Sequence, residues 1–300
     1  MSALEGVFVA AVTPRRPDGP HVDLAATLDL VDWLGRAGVR GIALFGSTGE
    51  FIHFDIEERI RVQSLAVRRC SLPMLVNVSH TTLDGAVRLA QEAASAGATG
   101  LLLMPPPFFR YGQAQIAAFY REFARQAGAS PPLLLYNIPF FTSELSAETA
   151  VELLDAGVAS GIKDSSGQWE YFRQLKSLYD RKKFSLFIGN DVLFTRGRAA
   201  GAGGVVSGVA CAVPELMTAL DAAIVSGDAA KTARLEARLR EFITRCDRFP
   251  APAGVRLGVE ARGLKTGPMS VPLTADDARL ADEFRAWFPG WVREVVQEAA

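Results

Sequence analysis

The chain has 300 residues, 49% of them hydrophobic, which is enough apolar side chain for one large core and excludes a disordered chain. Its net charge of −1 and its lack of a long basic run provide no attraction toward nucleic acid or an anionic membrane, leaving small neutral or acidic metabolites as partners. Cys70, Cys211 and Cys246 show no metal-type spacing and cannot all be bridged, which excludes a disulfide scaffold and fits reduced thiols in a cytoplasm.

The first apolar stretch, 6–12, is closed by Pro14 and Arg15 well short of the ~20 residues that span a bilayer, so neither signal peptide nor anchor is expected. Seven more strand-length runs follow at 41–45, 73–78, 100–104, 132–138, 159–163, 184–189 and 203–208, each bounded by Gly or Pro. Stretches of helical periodicity separate them. In 23–37, for example, Leu24, Leu28, Val31 and Leu34 share a face, Asp23 can cap the start and Gly38 can end the helix. The runs are apolar on consecutive residues, so both faces of the sheet must be covered, as in a parallel sheet clothed by helices.

Ala37-Gly38, Ala96-Gly97, Ala156-Gly157 and Ala200-Gly201 recur before runs two, four, six and eight, giving every second unit the same left-handed helix stop. Eight like units predict an α/β fold, the (β/α)8 TIM barrel. An open doubly wound sheet would need a topological switch point, and the first strand is not followed by a Gly-rich dinucleotide fingerprint. After the eighth run only helices remain, at 213–226, 229–247, 253–262 and 275–297, punctuated by Pro250, Pro252, Pro268 and Pro272. The predicted organisation is a catalytic barrel over residues 1–226 and a C-terminal helical region over 227–300, with no Ser/Gly-rich linker between them.

In such barrels the reacting groups sit at the C-terminal ends of strands. The second run ends in Gly46-Ser47-Thr48-Gly49-Glu50, where two glycines let successive backbone N–H groups and two hydroxyls point at one spot, a nest suited to a carboxylate or phosphate. It lacks the lysine and length of a P-loop, and on its own it reads equally well as an ordinary loop. The fifth run ends in Tyr136-Asn137-Ile138-Pro139 and the sixth in Gly161-Ile162-Lys163-Asp164-Ser165-Ser166-Gly167, so a tyrosine and a lysine stand at neighbouring strand ends. A lysine leaving an apolar strand into a water-poor mouth has its ammonium form disfavoured, and the neutral amine can attack a ketone. Tyr136 would then shuttle protons. A lone strand-end lysine is commonly a solvated charge and a lone tyrosine commonly packs; it is their combination with the Ser-Thr turn that points to chemistry.

These three motifs, in this order and spacing, resemble the dihydrodipicolinate synthase and N-acetylneuraminate lyase superfamily of pyruvate-dependent class I aldolases, over a stretch from the first run to about Pro272. The resemblance implies that Lys163 forms a Schiff base with C2 of pyruvate or another 2-keto acid, that Tyr136 relays protons, and that Ser47 and Thr48 hold the carboxylate, chiefly by backbone N–H groups. Gly189 and Val206 match positions that line the family's pocket. The resemblance further implies aldol cleavage, aldol addition or dehydration, no metal or organic cofactor, and a homo-oligomer, usually a tetramer. A metal-dependent aldolase would need clustered ligands, whereas His21, His53 and His80 show no ligand spacing.

Two departures bear on the substrate. Dihydrodipicolinate synthases carry an arginine shortly after the tyrosine motif to hold the incoming aldehyde's carboxylate, and Phe141 stands there in this chain. Their second relay tyrosine, in the loop after strand four, is matched by Phe108, unless a three-residue shift makes Tyr111 its counterpart. Phe51, Phe108, Phe140 and Phe141 would either surround an uncharged or aromatic fragment or pack in loops and at a subunit contact. The expectation is a Schiff-base lyase on a 2-keto acid outside lysine biosynthesis. The alternatives are a 4-hydroxy-tetrahydrodipicolinate synthase and a catalytically idle small-molecule-binding barrel.

Overall fold

A computed structural model describes residues 3–300. The apolar runs form eight strands: β1 (Gly6–Ala10), β2 (Gly41–Leu44), β3 (Met74–Asn77), β4 (Gly100–Leu103), β5 (Leu133–Asn137), β6 (Gly161–Asp164), β7 (Ser185–Ile188) and β8 (Gly204–Ser207). All pair in parallel and in chain order, and β8 returns to β1 with Gly6 opposite Gly204 and Val9 opposite Ser207, which closes the barrel. Every strand residue is buried, because side chains alternate between a filled interior and the surrounding helices. The (β/α)8 barrel with a helical extension is therefore the architecture.

Local signals act as the sequence predicts. Asp23 caps the helix Leu24–Gly35 by accepting from the Ala26 N–H at 3.0 Å. Gly38, Gly97, Gly157 and Gly201 all adopt positive φ, between 72° and 94°, so the recurring Ala-Gly pair is a repeated left-handed stop. The sixth strand differs from expectation: it begins at Gly161, two residues later than the apolar run suggests, and extends to Asp164, one residue further, which leaves Lys163 inside the hydrogen-bonded ladder.

After β8 a one-turn helix, Val209–Ala212, precedes the helices Pro214–Ser226, Ala229–Cys246, Ala253–Ala261 and Ala275–Ala299. Four small apolar residues have no amphipathic period, so that first turn was not legible from the sequence. An aromatic cluster holds the helical region together: Phe242 stacks on Trp291 at 5.5 Å and meets Phe284 and Phe288 at 6.1 and 6.0 Å. Among the described residues no helix is long and apolar enough to cross a membrane.

Candidate active site

The pairing of β5 with β6 sets Tyr136 opposite Lys163 and Asn137 opposite Asp164. Because strand residues alternate, Tyr136 and Lys163 share one face while Asn137 and Asp164 share the other. The second pair acts as a bracket. Asn137 Nδ2 donates to Asp164 Oδ1 at 2.9 Å, and Asp164 also accepts from the Ser166 N–H at 3.0 Å and the Ser166 hydroxyl at 2.9 Å. Burial outweighs these bonds and pushes the Asp164 carboxyl up to about 6. The bracket locks two strand ends in register, which fixes where Tyr136 and Lys163 emerge.

On the facing side, Lys163 is only 3% exposed and its Nζ lies 4.1 Å from the centroid of the Tyr136 ring. The Tyr136 hydroxyl shares a hydrogen bond of 2.9 Å with Ser47 Oγ. Burial alone would raise the phenol, but the adjacent Lys163 charge and the Ser47 hydroxyl prevail and hold it below its ordinary value. A cavity of about 340 Å³ opens above them, lined by Lys163, Ser47, Thr48, Gly189 and Val206. Gly189 has no room for a side chain: a Cβ there would lie 2.1 Å from Ser165 Oγ and 2.9 Å from Lys163 Cε.

The Ser47–Thr48 turn is held under strain. Phe45 and Glu50, at either side of it, sit at φ 57° and 50°, a left-handed conformation unfavourable for side-chain-bearing residues. Asn77 Nδ2 donates to the Phe45 carbonyl at 2.7 Å, and Asn77 is itself held by the Ser79 hydroxyl, also at 2.7 Å. Glu50 is clasped by Arg256 at 2.9 Å and Arg15 at 3.5 Å, with the Ser270 hydroxyl as a further donor. Arg256 also donates to the carbonyls of Thr13, Thr266, Gly267 and Pro268, so the helical region reaches across the barrel mouth and holds the turn.

The sequence did not mark Arg15, Glu50 and Arg256 as a set, because their separation along the chain leaves no local pattern. It also missed Asp191, just beyond Gly189. This residue lines the Lys163 cavity, and its Oδ1 is inaccessible to solvent with no hydrogen-bond partner. Burial pushes its carboxyl up, opposed by Ser207, the Val209 N–H and the Lys163 charge. The Asn190-Asp191 pair at the end of the seventh run was the available signal.

Phe141 does not line the Lys163 cavity. With Phe51 it lines a second cavity of about 390 Å³ that adjoins the first along Ser47, Ala251 and Pro252, which line both. Phe108 and Phe140 are brought to neither cavity: they are 88% and 70% exposed, and the positive φ of Phe108 (81°) turns its ring against Phe109. Tyr111 lines neither cavity as well, and its N–H is held by Ser143 Oγ at 2.7 Å. Among the described residues no three His, Cys, Asp or Glu side chains converge as a metal-ligand set.

A closed parallel barrel whose strand ends bring a buried lysine beside a tyrosine and a Ser-Thr turn has the architecture of the barrel lyases and aldolases. The model of the dihydrodipicolinate synthetase family matches residues 3–287, and the chain belongs to that family. It is 31% identical to a 4-hydroxy-tetrahydrodipicolinate synthase of Azoarcus sp. over 90% of this chain and 92% of that one. It is also 31% identical to an uncharacterized DapA-like lyase of Halobacterium salinarum, over 93% and 92% of the two chains. Among solved structures, the 4-hydroxy-tetrahydrodipicolinate synthase of Methylacidiphilum fumariolicum SolV superposes with a TM-score of 0.89 at 23% identity, covering 99% of this chain and all of that one. The sialic acid aldolase of Ruminococcus gnavus gives 0.87 at 22%, covering 99% of both. At these identities the structural likeness speaks for the fold, and the chain is a lyase/aldolase of its family.

Proposed function

We propose that the protein is a Schiff-base lyase acting on pyruvate or a larger 2-keto acid, with Lys163 as the nucleophile. The observation that carries this reading is Lys163 Nζ, buried at the base of a cavity and 4.1 Å from the Tyr136 ring, whose hydroxyl is bonded to Ser47. The substrate carboxylate sits on the N–H groups and hydroxyls of Ser47 and Thr48, which leaves the keto carbon within reach of the amine. The amine adds to C2, and water leaves to form an iminium. The iminium withdraws electrons, so the bond from C3 to a proton or a carbon can break and leave its electron pair as an enamine; where C4 carries a hydroxyl, the enamine pair can then form a C3–C4 double bond while the hydroxyl departs with its own pair and is protonated to water. Tyr136, with its proton held less tightly than in a free phenol, passes protons between substrate and water through Ser47. Hydrolysis of the iminium returns Lys163.

The same reading sets the protein outside lysine biosynthesis, because Phe141 and not a cation stands on the loop after β5. Exposed Phe108, Phe109 and Phe140, which line neither cavity, crowd two loops joined by a bridge between Pro107 and Thr142, and this apolar patch supports a homo-oligomer, a tetramer by resemblance. Reduced Cys70, Cys211 and Cys246 fit a cytoplasmic location. Borohydride reduction in the presence of pyruvate tests the chemistry: one stable adduct at Lys163, absent in Lys163→Ala, is expected. A protein that stays unmodified with every 2-keto acid tried would instead be the non-catalytic binder.

A further inference from the structure

The two cavities at the barrel mouth differ in chemistry. Around Lys163 the wall carries Asp191 and Asp247, both acidic. The larger chamber beside it is lined by Phe51, Met104, Pro107, Phe141, Met269 and Leu273 among others. Its ionisable walls are Glu50 and Asp277 against Arg256 and, at the exposed rim, the imidazole of His53. Arg256 spends one Nη on Glu50 and the other on three carbonyls, and its remaining Nε is inaccessible to solvent. Arg15 is equally out of reach, and Arg110 is turned to the Thr142 carbonyl. Among the described residues, then, no arginine or lysine side chain is left free to receive a second carboxylate in either cavity, since Lys163 is reserved for the keto carbon. An anion entering the chamber would face the carboxylates of Glu50 and Asp277 with the rim imidazole of His53 as its one uncommitted partner, whereas an apolar group would gain contact over most of the lining.

Ser47 connects the two spaces. Its hydroxyl is bonded to Tyr136 on the Lys163 side, and the same residue forms the wall of the apolar chamber. We propose that the chamber holds the part of the substrate beyond the keto acid, and that this part is uncharged and apolar, an aryl or branched-alkyl aldehyde fragment. This rests on the Schiff-base reading and narrows its substrate class. At about 390 Å³ the chamber is of a size that encloses such a group.

The test uses the purified full chain and begins with the pyruvate and borohydride adduct, which reports on the Schiff base alone. Aldol addition of pyruvate is then measured with benzaldehyde, with D-glyceraldehyde and with aspartate semialdehyde, which are apolar, hydroxylated and anionic in turn. The expected result is a kcat/KM for benzaldehyde at least tenfold above either of the others, falling about tenfold in Phe141→Arg. An adduct with pyruvate combined with a preference for the hydroxylated or anionic aldehyde overturns the chamber and leaves the Schiff base standing. Calorimetric titration with benzyl alcohol, an unreactive uncharged mimic, tests the chamber where no adduct forms. Saturable binding in the wild type that weakens in Phe141→Arg supports the proposal, and binding that never saturates, or that is the same in both proteins, overturns it.

Discussion

Replacing Gly189 by alanine separates the effect of local crowding on function from its effect on stability. Gly189 lies outside the left-handed region, so the backbone accepts a side chain and the cost lies in what the new Cβ meets. Ser165 Oγ, 2.1 Å away, is a small hydroxyl on a single rotatable bond and can turn aside, at the cost of its support for the Tyr136 phenol. Lys163 Cε, at 2.9 Å, is about half an ångström short of ordinary carbon contact and must retreat, while the Asp164 carbonyl at 3.0 Å is backbone and gives little. The overpacking costs stability about 1 kcal/mol. A reacting nitrogen displaced by a good part of an ångström loses roughly 10- to 100-fold in rate. Thermal unfolding and the rate of adduct formation with pyruvate under borohydride are measured on the same preparation. The reasoning fails if Gly189→Ala forms the adduct at the wild-type rate, or if the rate falls only in step with a large loss of folded protein.

Three further outcomes are expected. Tyr136→Phe keeps the ring that packs beside Lys163 but removes the hydroxyl shared with Ser47, so turnover should fall about 10²- to 10⁴-fold in steady-state assays while a pyruvate adduct can still be trapped. Arg256→Met leaves Glu50 with Arg15 at 3.5 Å and Ser270 and frees several carbonyls, which should destabilise the protein by about 3–5 kcal/mol in urea unfolding; a loss below about 1 kcal/mol would show that the clasp matters little. Asp164 has its carboxyl raised from 3.8 to about 6, so the folded state prefers the protonated form. Its contribution, about 3 kcal/mol, is fully present below pH 4 and is lost as pH rises through about 6; unfolding of wild type and Asp164→Asn across this window should differ by that pH dependence.

The residues differ in how early they could be read. Lys163, Tyr136 and the Ser47-Thr48 turn stand at the ends of apolar runs, and a closed parallel barrel gathers strand ends at one mouth whatever the loops do. Phe141 and Phe108 are four and five residues from well-defined strands, yet one lines a chamber and the other faces outward, because loop conformation depends on contacts such as the bridge from Pro107 to Thr142. Asp191 was overlooked because an acidic residue after a strand is unremarkable until burial takes away its partners.

By itself the sequence determined the strand and helix periodicity and the repeated glycine stops, which depend on neighbours within a few residues, and the number of like units and the order of the three motifs, which are read directly along the chain. Only the tertiary structure decided that Tyr136 and Lys163 lie opposite each other in register, that Arg15 and Arg256 clasp Glu50 beside the Ser47-Thr48 turn, and that an apolar chamber adjoins the Lys163 cavity. Those relations join residues up to 241 positions apart, as Arg256 and Arg15 are, and packing sets them, not any local preference of the chain.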